Sequence, residues 1–277
     1  MPRMSRAQSL PAPVGLLPLP RPLMTGEVLD AAFRLFRAGL LRCLPYSGLA
    51  ALVLQLPELR ATYFPAGWLG SSNDRYVLPA FSMLIGVLLF GVLTLRLYAI
   101  SRGERTRVRR EVFSALKRWP AAIIASLGSL AFPAALVVVG TMFNPFTPNP
   151  LGLIGLLVLV WPAALFVVGL PAFWCDGLNP FTAVARAVRI SWRRLWRMVG
   201  VLLAVACIVI VFYILAAIIV GLISQLLRRA DLVLLTAMRS MNSLVMGTLG
   251  VPFVLATLLV AYEDLKFRDL ERRGVAT

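Results

Sequence analysis

Six apolar runs of about twenty residues dominate the chain, near 40–59, 77–100, 121–143, 151–173, 199–223 and 240–262. Each approaches the ~20 residues that a helix needs to cross about 30 Å of hydrocarbon. The fourth, LGLIGLLVLVWPAALFVVGLPAFW, carries no charge. The first is interrupted by Arg42, Pro45 and Gln55, and its arginine can snorkel to the interface if the span begins there. The pattern predicts an all-α fold, an integral membrane bundle of six transmembrane helices, because only internally bonded backbone survives in lipid.

A second periodicity recurs ahead of the odd-numbered spans. TGEVLDAAFRLFRAGLL, ERTRVRREVFSALKRWPAAII and NPFTAVARAVRISWRRLWRMVG each alternate polar and apolar residues with the period of a helix. In the first, Glu27, Asp30, Arg34 and Arg37 form a polar stripe opposite Val28, Leu29, Ala32, Phe33 and Phe36. In the second, Arg107, Glu111, Ser114 and Arg118 face away from Val108, Val112 and Leu116. In the third, Asn179 stands at the N-cap position and Pro180 at the first helical position. There Phe181, Val184, Val188, Trp192 and Leu195 form an apolar face, and Arg186, Arg189, Arg193 and Arg197 a basic one. The spacing predicts three amphipathic elbow helices on the cytosolic side, lying in the interface. The repeat of roughly 70 to 85 residues divides the membrane domain, 25–263, into pseudo-repeat units near 25–102, 103–176 and 177–263. Residues 1–24, rich in proline, are expected to form a mobile cytosolic tail without the continuous apolar core of a signal peptide, and 264–277 a second tail.

Composition strengthens this picture. The chain is 60% hydrophobic and 14% charged, with a mean hydropathy of +0.85, whereas a soluble domain is about half apolar and about a quarter charged. The net charge of +16 would suggest nucleic acid in a soluble protein, but the basic residues sit beside apolar runs. Lysine and arginine number six up to Arg42, eight from Arg96 to Arg118, five from Arg186 to Arg197 and four after Tyr262. The alternate loops hold two, none and three. The excess marks the cytosolic side, which puts both termini there. The chain has no histidine, and Cys43, Cys175 and Cys207 form no CxxC pair. A disulfide frame, a zinc site and histidine acid–base chemistry are not indicated.

RPLMTGEVLDAAFRLFRAGLLRCL resembles the opening of bacterial glycerophosphoryl diester phosphodiesterase membrane-domain proteins, through Gly26, Glu27, Leu29, Asp30, Ala32, Phe33, Leu35, Phe36 and Arg37. NPFTAVARAVRISWRRLWRMVG is similar to a second hallmark of that family, and VAYEDLKFRDLERRG to its closing signature, through Tyr262, Asp264, Leu265, Lys266 and Arg268. In some relatives this domain precedes a cytosolic phosphodiesterase barrel. No barrel is expected in these 277 residues, so the resemblance implies the multi-pass architecture and not that activity.

Candidates for chemistry are sparse. No acid lies well inside an expected span, and GxxxxGK[ST] and GxSxG motifs are missing. Asp176, Glu263 and Asp264 lie at span ends, where an ion pair is the simpler reading. Ser126, Ser129 and Ser243 read as packing hydroxyls. Pro45, Pro133, Pro162 and Pro252 fall within spans and are candidates for kinks. No catalytic residue, metal ligand or cofactor is expected. The cations most suited to lipid headgroups are Arg34, Arg37, Arg107, Arg110, Arg186, Arg189, Arg193 and Arg197. These residues describe a non-enzymatic membrane scaffold contacting anionic phospholipid, with a membrane or cytosolic protein partner and no nucleic acid. The alternative is a transporter or permease-like subunit for an amphipathic or lipid-like substrate. Cysteines placed at Arg109 and Arg194 are expected to react with an impermeant maleimide from the same, cytosolic, side. Labelling from opposite sides overturns the topology.

Overall fold

The computed structural model describes residues 21–63, 74–104, 107–123, 169–226 and 232–274, and every regular element among them is helical. In chain order these are α1 (Thr25–Tyr63), α2 (Asp74–Ser101), α3 (108–123), α4 (169–176), α5 (Pro180–Ser191), a 3-10 turn (Trp192–Arg194), α6 (Leu195–Leu226) and α7 (Leu232–Arg272). Among the described residues, four helices are long and apolar enough to cross a membrane: α1, α2, α6 and α7. The third and fourth expected spans, near 121–143 and 151–173, lie almost wholly outside the described residues.

The first amphipathic segment is not a separate helix. It runs unbroken into the first span as the 39 residues of α1, about 58 Å long at 1.5 Å per residue. That is about twice the ~30 Å of a hydrocarbon core. The helix start is fixed by Glu27, whose Oε2 accepts the Met24 backbone N–H at 2.7 Å, the return half of a capping box. The 41-residue α7 is longer still, so both helices project a charged end beyond the apolar layer.

α1 and α7 cross closely because small residues line their seam. A Cβ on Gly247 would lie 3.0 Å from that of Ala51, and one on Gly48 would lie 3.7 Å from Thr248. Small side chains let backbones approach where no hydrophobic force separates protein from lipid. Gln55, which breaks the apolar pattern of the first span, donates to Ser243 Oγ at 2.8 Å across this seam. Toward the charged end, Val28, Ala32 and Leu35 of α1 pack with Leu93 and Leu97 of α2 and with Leu259, Tyr262 and Leu265 of α7.

α6 differs. Its first turns bury Met198, Val201 and Val205, but only 6% of its apolar window is buried, against 44% for α7. Leu203, Ile210, Phe212 and Ile214 are exposed, as suits a helix whose solvent is hydrocarbon.

Gly91 of α2 meets the Trp174 ring of α4 so closely that a Cβ there would fall 2.4 Å from the indole. Trp174 is buried, so the ring or the backbone of α2 must shift to admit a methyl group. Gly91→Ala is expected to cost about 1–3 kcal/mol through overpacking, read as a lower melting temperature in detergent. An unchanged melting temperature would show that the contact does not constrain the bundle.

Candidate functional site

The charged ends of α1, α2 and α7 gather with α3, α4, α5 and the start of α6 into a polar collar. Its centre is Asp264, whose side chain is 2% exposed. Its Oδ1 accepts the Leu23 backbone N–H at 2.8 Å, and its carboxylate pairs with Arg197 at 3.0 Å and Arg268 at 3.1 Å. Both guanidinium groups also donate to the Leu23 carbonyl. Thus the segment before α1, the start of α6 and the end of α7 are tied at one carboxylate. The opening and closing motifs of the chain meet here.

Asp176, at the end of α4, is a second node. It pairs with Arg186 of α5 and Lys266 of α7, both at 3.0 Å, and accepts the Tyr262 hydroxyl at 2.5 Å. The neighbouring Glu263 reaches Lys266 only at 3.8 Å. Asp176 is thus held between cations, and no group of three metal-ligating side chains occurs among the described residues. Beside Asp176, burial pushes the Cys175 thiol well above its usual range, and the Asp176 charge pushes it further. Cys175 therefore stays a protonated thiol at neutral pH, a poor nucleophile.

A third node joins α1, α2 and α3. Arg96 contacts Glu111 at 3.3 Å, with both side chains largely buried, and lies over the Tyr46 ring at 4.9 Å. Arg118 donates to the Trp174 carbonyl at 2.5 Å, satisfying a group that α4 leaves unpaired at its end. Gly177 follows with φ +69, and a Cβ there would fall 2.7 Å from Arg118. Only glycine serves both needs at this turn.

On α3 the polar stripe divides, with Glu111 buried, Ser114 and Arg118 half-buried and Arg107 exposed. Glu111 and Ala115 are buried, while Val108, Phe113 and Leu116 are exposed. On α5 the buried residues are Ala183, Ala187, Ile190 and Ser191. Its bulky face is outward: Phe181 is 81% and Trp192, just beyond the helix, 56% exposed, and Val184 is exposed too. Asn179 occupies the N-cap position as expected, but its side chain makes no capping bond. Instead the Thr182 hydroxyl donates to the Asn179 carbonyl.

No family model, curated protein or solved structure matches the chain.

The eight arginines singled out from the sequence have separate fates. Arg186 and Arg197 are the partners of Asp176 and Asp264. Arg34 pairs with Asp30 on the exposed face of α1 at 2.7 Å. Arg37, Arg107, Arg110 and Arg189 are exposed, and the Arg193 side chain lies outside the described ones. Sequence reasoning missed Arg194, Arg268 and Arg272, which lie beside Arg189 around one recess. The signal was available in the i, i+4 spacing of Arg268 and Arg272, which puts them on one face of α7.

Removing a buried partner leaves charges uncompensated. Asp264→Ala is expected to cost on the order of 3 kcal/mol, seen as a lower melting temperature and as new tryptic cleavage after Arg21. Asp30→Ala, which breaks only an exposed pair, is expected to change neither. Equal behaviour of the two variants would remove Asp264 as the central tie.

Proposed function

We propose that this chain is a non-enzymatic multi-pass protein of the bacterial inner membrane, a scaffold whose basic cytosolic collar engages anionic phospholipid. The observation that carries the reading is the orientation of α5. Its alanines are buried against protein while Phe181, Val184 and Trp192 point outward beside Arg189. A helix that displays bulky apolar residues and cations together suits the boundary between acyl chains and headgroups. Trp196, 87% exposed one turn later, belongs to the same level, where tryptophans concentrate.

The other features agree. α5 and the 3-10 turn that follows it act as the elbow ahead of the fifth span, and α3 as the elbow ahead of the third. Both termini lie in the cytosol, and six spans complete the bundle, as the motifs shared with the phosphodiesterase membrane-domain proteins imply. Asp176 and Asp264 are occupied by cations within the collar, an arrangement suited to holding helices rather than to turning over a substrate. Each arginine held near an anionic surface contributes about 1 kcal/mol, so several exposed ones give a clear preference among lipids.

The protein washed in detergent with equal amounts of phosphatidylglycerol and phosphatidylcholine is expected to retain the anionic lipid in about tenfold excess at low salt. The excess should shrink as salt rises. Equal retention of both lipids overturns the reading.

A further inference from the structure

A recess of about 220 Å³ opens between the α5–α6 junction and the end of α7. Its floor is Ile190 and Leu265, and its walls carry Arg189, Arg194, Arg268 and Arg272. One acid, Asp269, lies on the rim, and its carboxylate is held by Arg273 at 2.8 Å. The recess therefore presents four cations to one acid that is already engaged.

The arginines differ in what they have left to give. Arg268 spends its Nε on Asp264 and one terminal nitrogen on the Leu23 carbonyl. Arg189, Arg194 and Arg272 have no carboxylate within ion-pair distance among the described residues. Arg194 goes further, because its Nη1 is shielded from solvent with no hydrogen-bond acceptor. A buried donor left unmade is expensive, more so when charged. Guanidinium groups placed around one small volume match the several oxygens of a phosphate group, which accept paired N–H bonds. A single carboxylate has too few acceptor positions to occupy them all.

We propose that this recess is a phosphate-binding site, formed by Arg189, Arg194 and Arg272 with Arg268 at its back, that takes a phosphate ester group. This deepens the lipid-contacting reading and in part rests on it, by naming the place and the chemical group. The exposed Trp192 and Trp196 flank Arg194 in sequence, so the recess lies at headgroup depth under that reading. A phospholipid headgroup and a free phosphate share the chemistry and are separated by experiment.

The test compares the full-length protein with Arg194→Gln/Arg272→Gln and with Arg34→Gln/Arg37→Gln, which loses the same charge far along the sequence on α1. Neither Arg194 nor Arg272 has a carboxylate to lose, so the first variant is expected to elute and melt like the unaltered chain. In one arm, detergent-washed protein is assayed for retained phosphatidylglycerol. In the other, inorganic phosphate is titrated against the melting temperature and tryptophan emission, with chloride at equal ionic strength as the control.

A headgroup site predicts about tenfold less retained lipid for the recess variant and a loss several times smaller for the α1 variant, whose Arg34 is already held by Asp30. A site for soluble phosphate predicts a phosphate-specific rise in melting temperature that the recess variant abolishes, with lipid retention unchanged. Either result supports the proposal and identifies the source. Equal lipid loss in both variants without a phosphate response overturns the recess while leaving general anionic-lipid contact intact. If the unaltered chain shows no anionic preference but does show the phosphate response, the lipid reading fails and the recess stands. No response in either arm removes both. If the recess variant fails to fold, Arg194→Lys, which keeps the charge but loses the paired N–H donors, replaces it in both arms with losses in the same direction expected.

Discussion

A carboxylate removed from water must have its charge answered within a few ångströms, or it cannot stay ionised and buried. Asp264 meets this demand with two arginines and a backbone N–H drawn from three places in the chain. Two of these, Leu23 and Arg197, lie far from it in sequence, so the pairing fixes where α1 and α6 must begin relative to α7. Asp176 does the same for α4, α5 and α7, and Glu111 for α2 and α3. The acids act as nodes at which helix ends are joined. In hydrocarbon, where apolar contacts between helices are no better than contacts with lipid, such nodes and close small-residue seams carry the specificity.

From that constraint follows the character of the surface. The chain holds 12 acids against 28 basic residues, and its central carboxylates face inward. The cations they answer are thereby withdrawn from any ligand, as with Arg186 and Arg197. The cations left over are the ones that face outward. Net charge alone is thus a poor guide to which arginines face outward, because the internal ion pairs select among them. Arg34 fails the same test on the outside, since Asp30 lies one turn away.

The apolar runs made the four described spans legible, because a run of uncharged residues of that length has few other uses. The polar interruptions were legible only in part. Gln55 looked like a defect in the first span, and its partner Ser243 could not be found without the crossing of α1 and α7. Periodicity also shows that a helix has two unlike faces without showing which is turned inward. In water the apolar face goes in, but at a membrane boundary the sign reverses when the interior offers carboxylates. α3 is reversed in part, with Glu111 buried and Val108 and Leu116 exposed, while Val112 packs on the core. On α5 the packing seam is Ala183 and Ala187, which the eye passes over beside Phe181 and Trp192. The elbow of α1 was misjudged as a separate helix because nothing between Arg37 and Leu40 ends it.

Arg268 joins the recess to the clamp, since it lines the one and pairs with the central acid of the other. α6 is gripped chiefly over its first turns, through Arg197 and through Met198, Val201 and Val205. Arg194 lies one turn before Arg197, so the recess wall and the grip on α6 belong to one short stretch of backbone. An anion in the recess would draw on Arg194, whose inner nitrogen is unpaired, before it drew on Arg268. Pulling Arg268 away would cost its contacts with Asp264 and the Leu23 carbonyl together, a loss an exposed phosphate contact could not offset. The energetic order therefore assigns ligand contact to Arg189, Arg194 and Arg272, and leaves Arg268 to hold the helices beneath them.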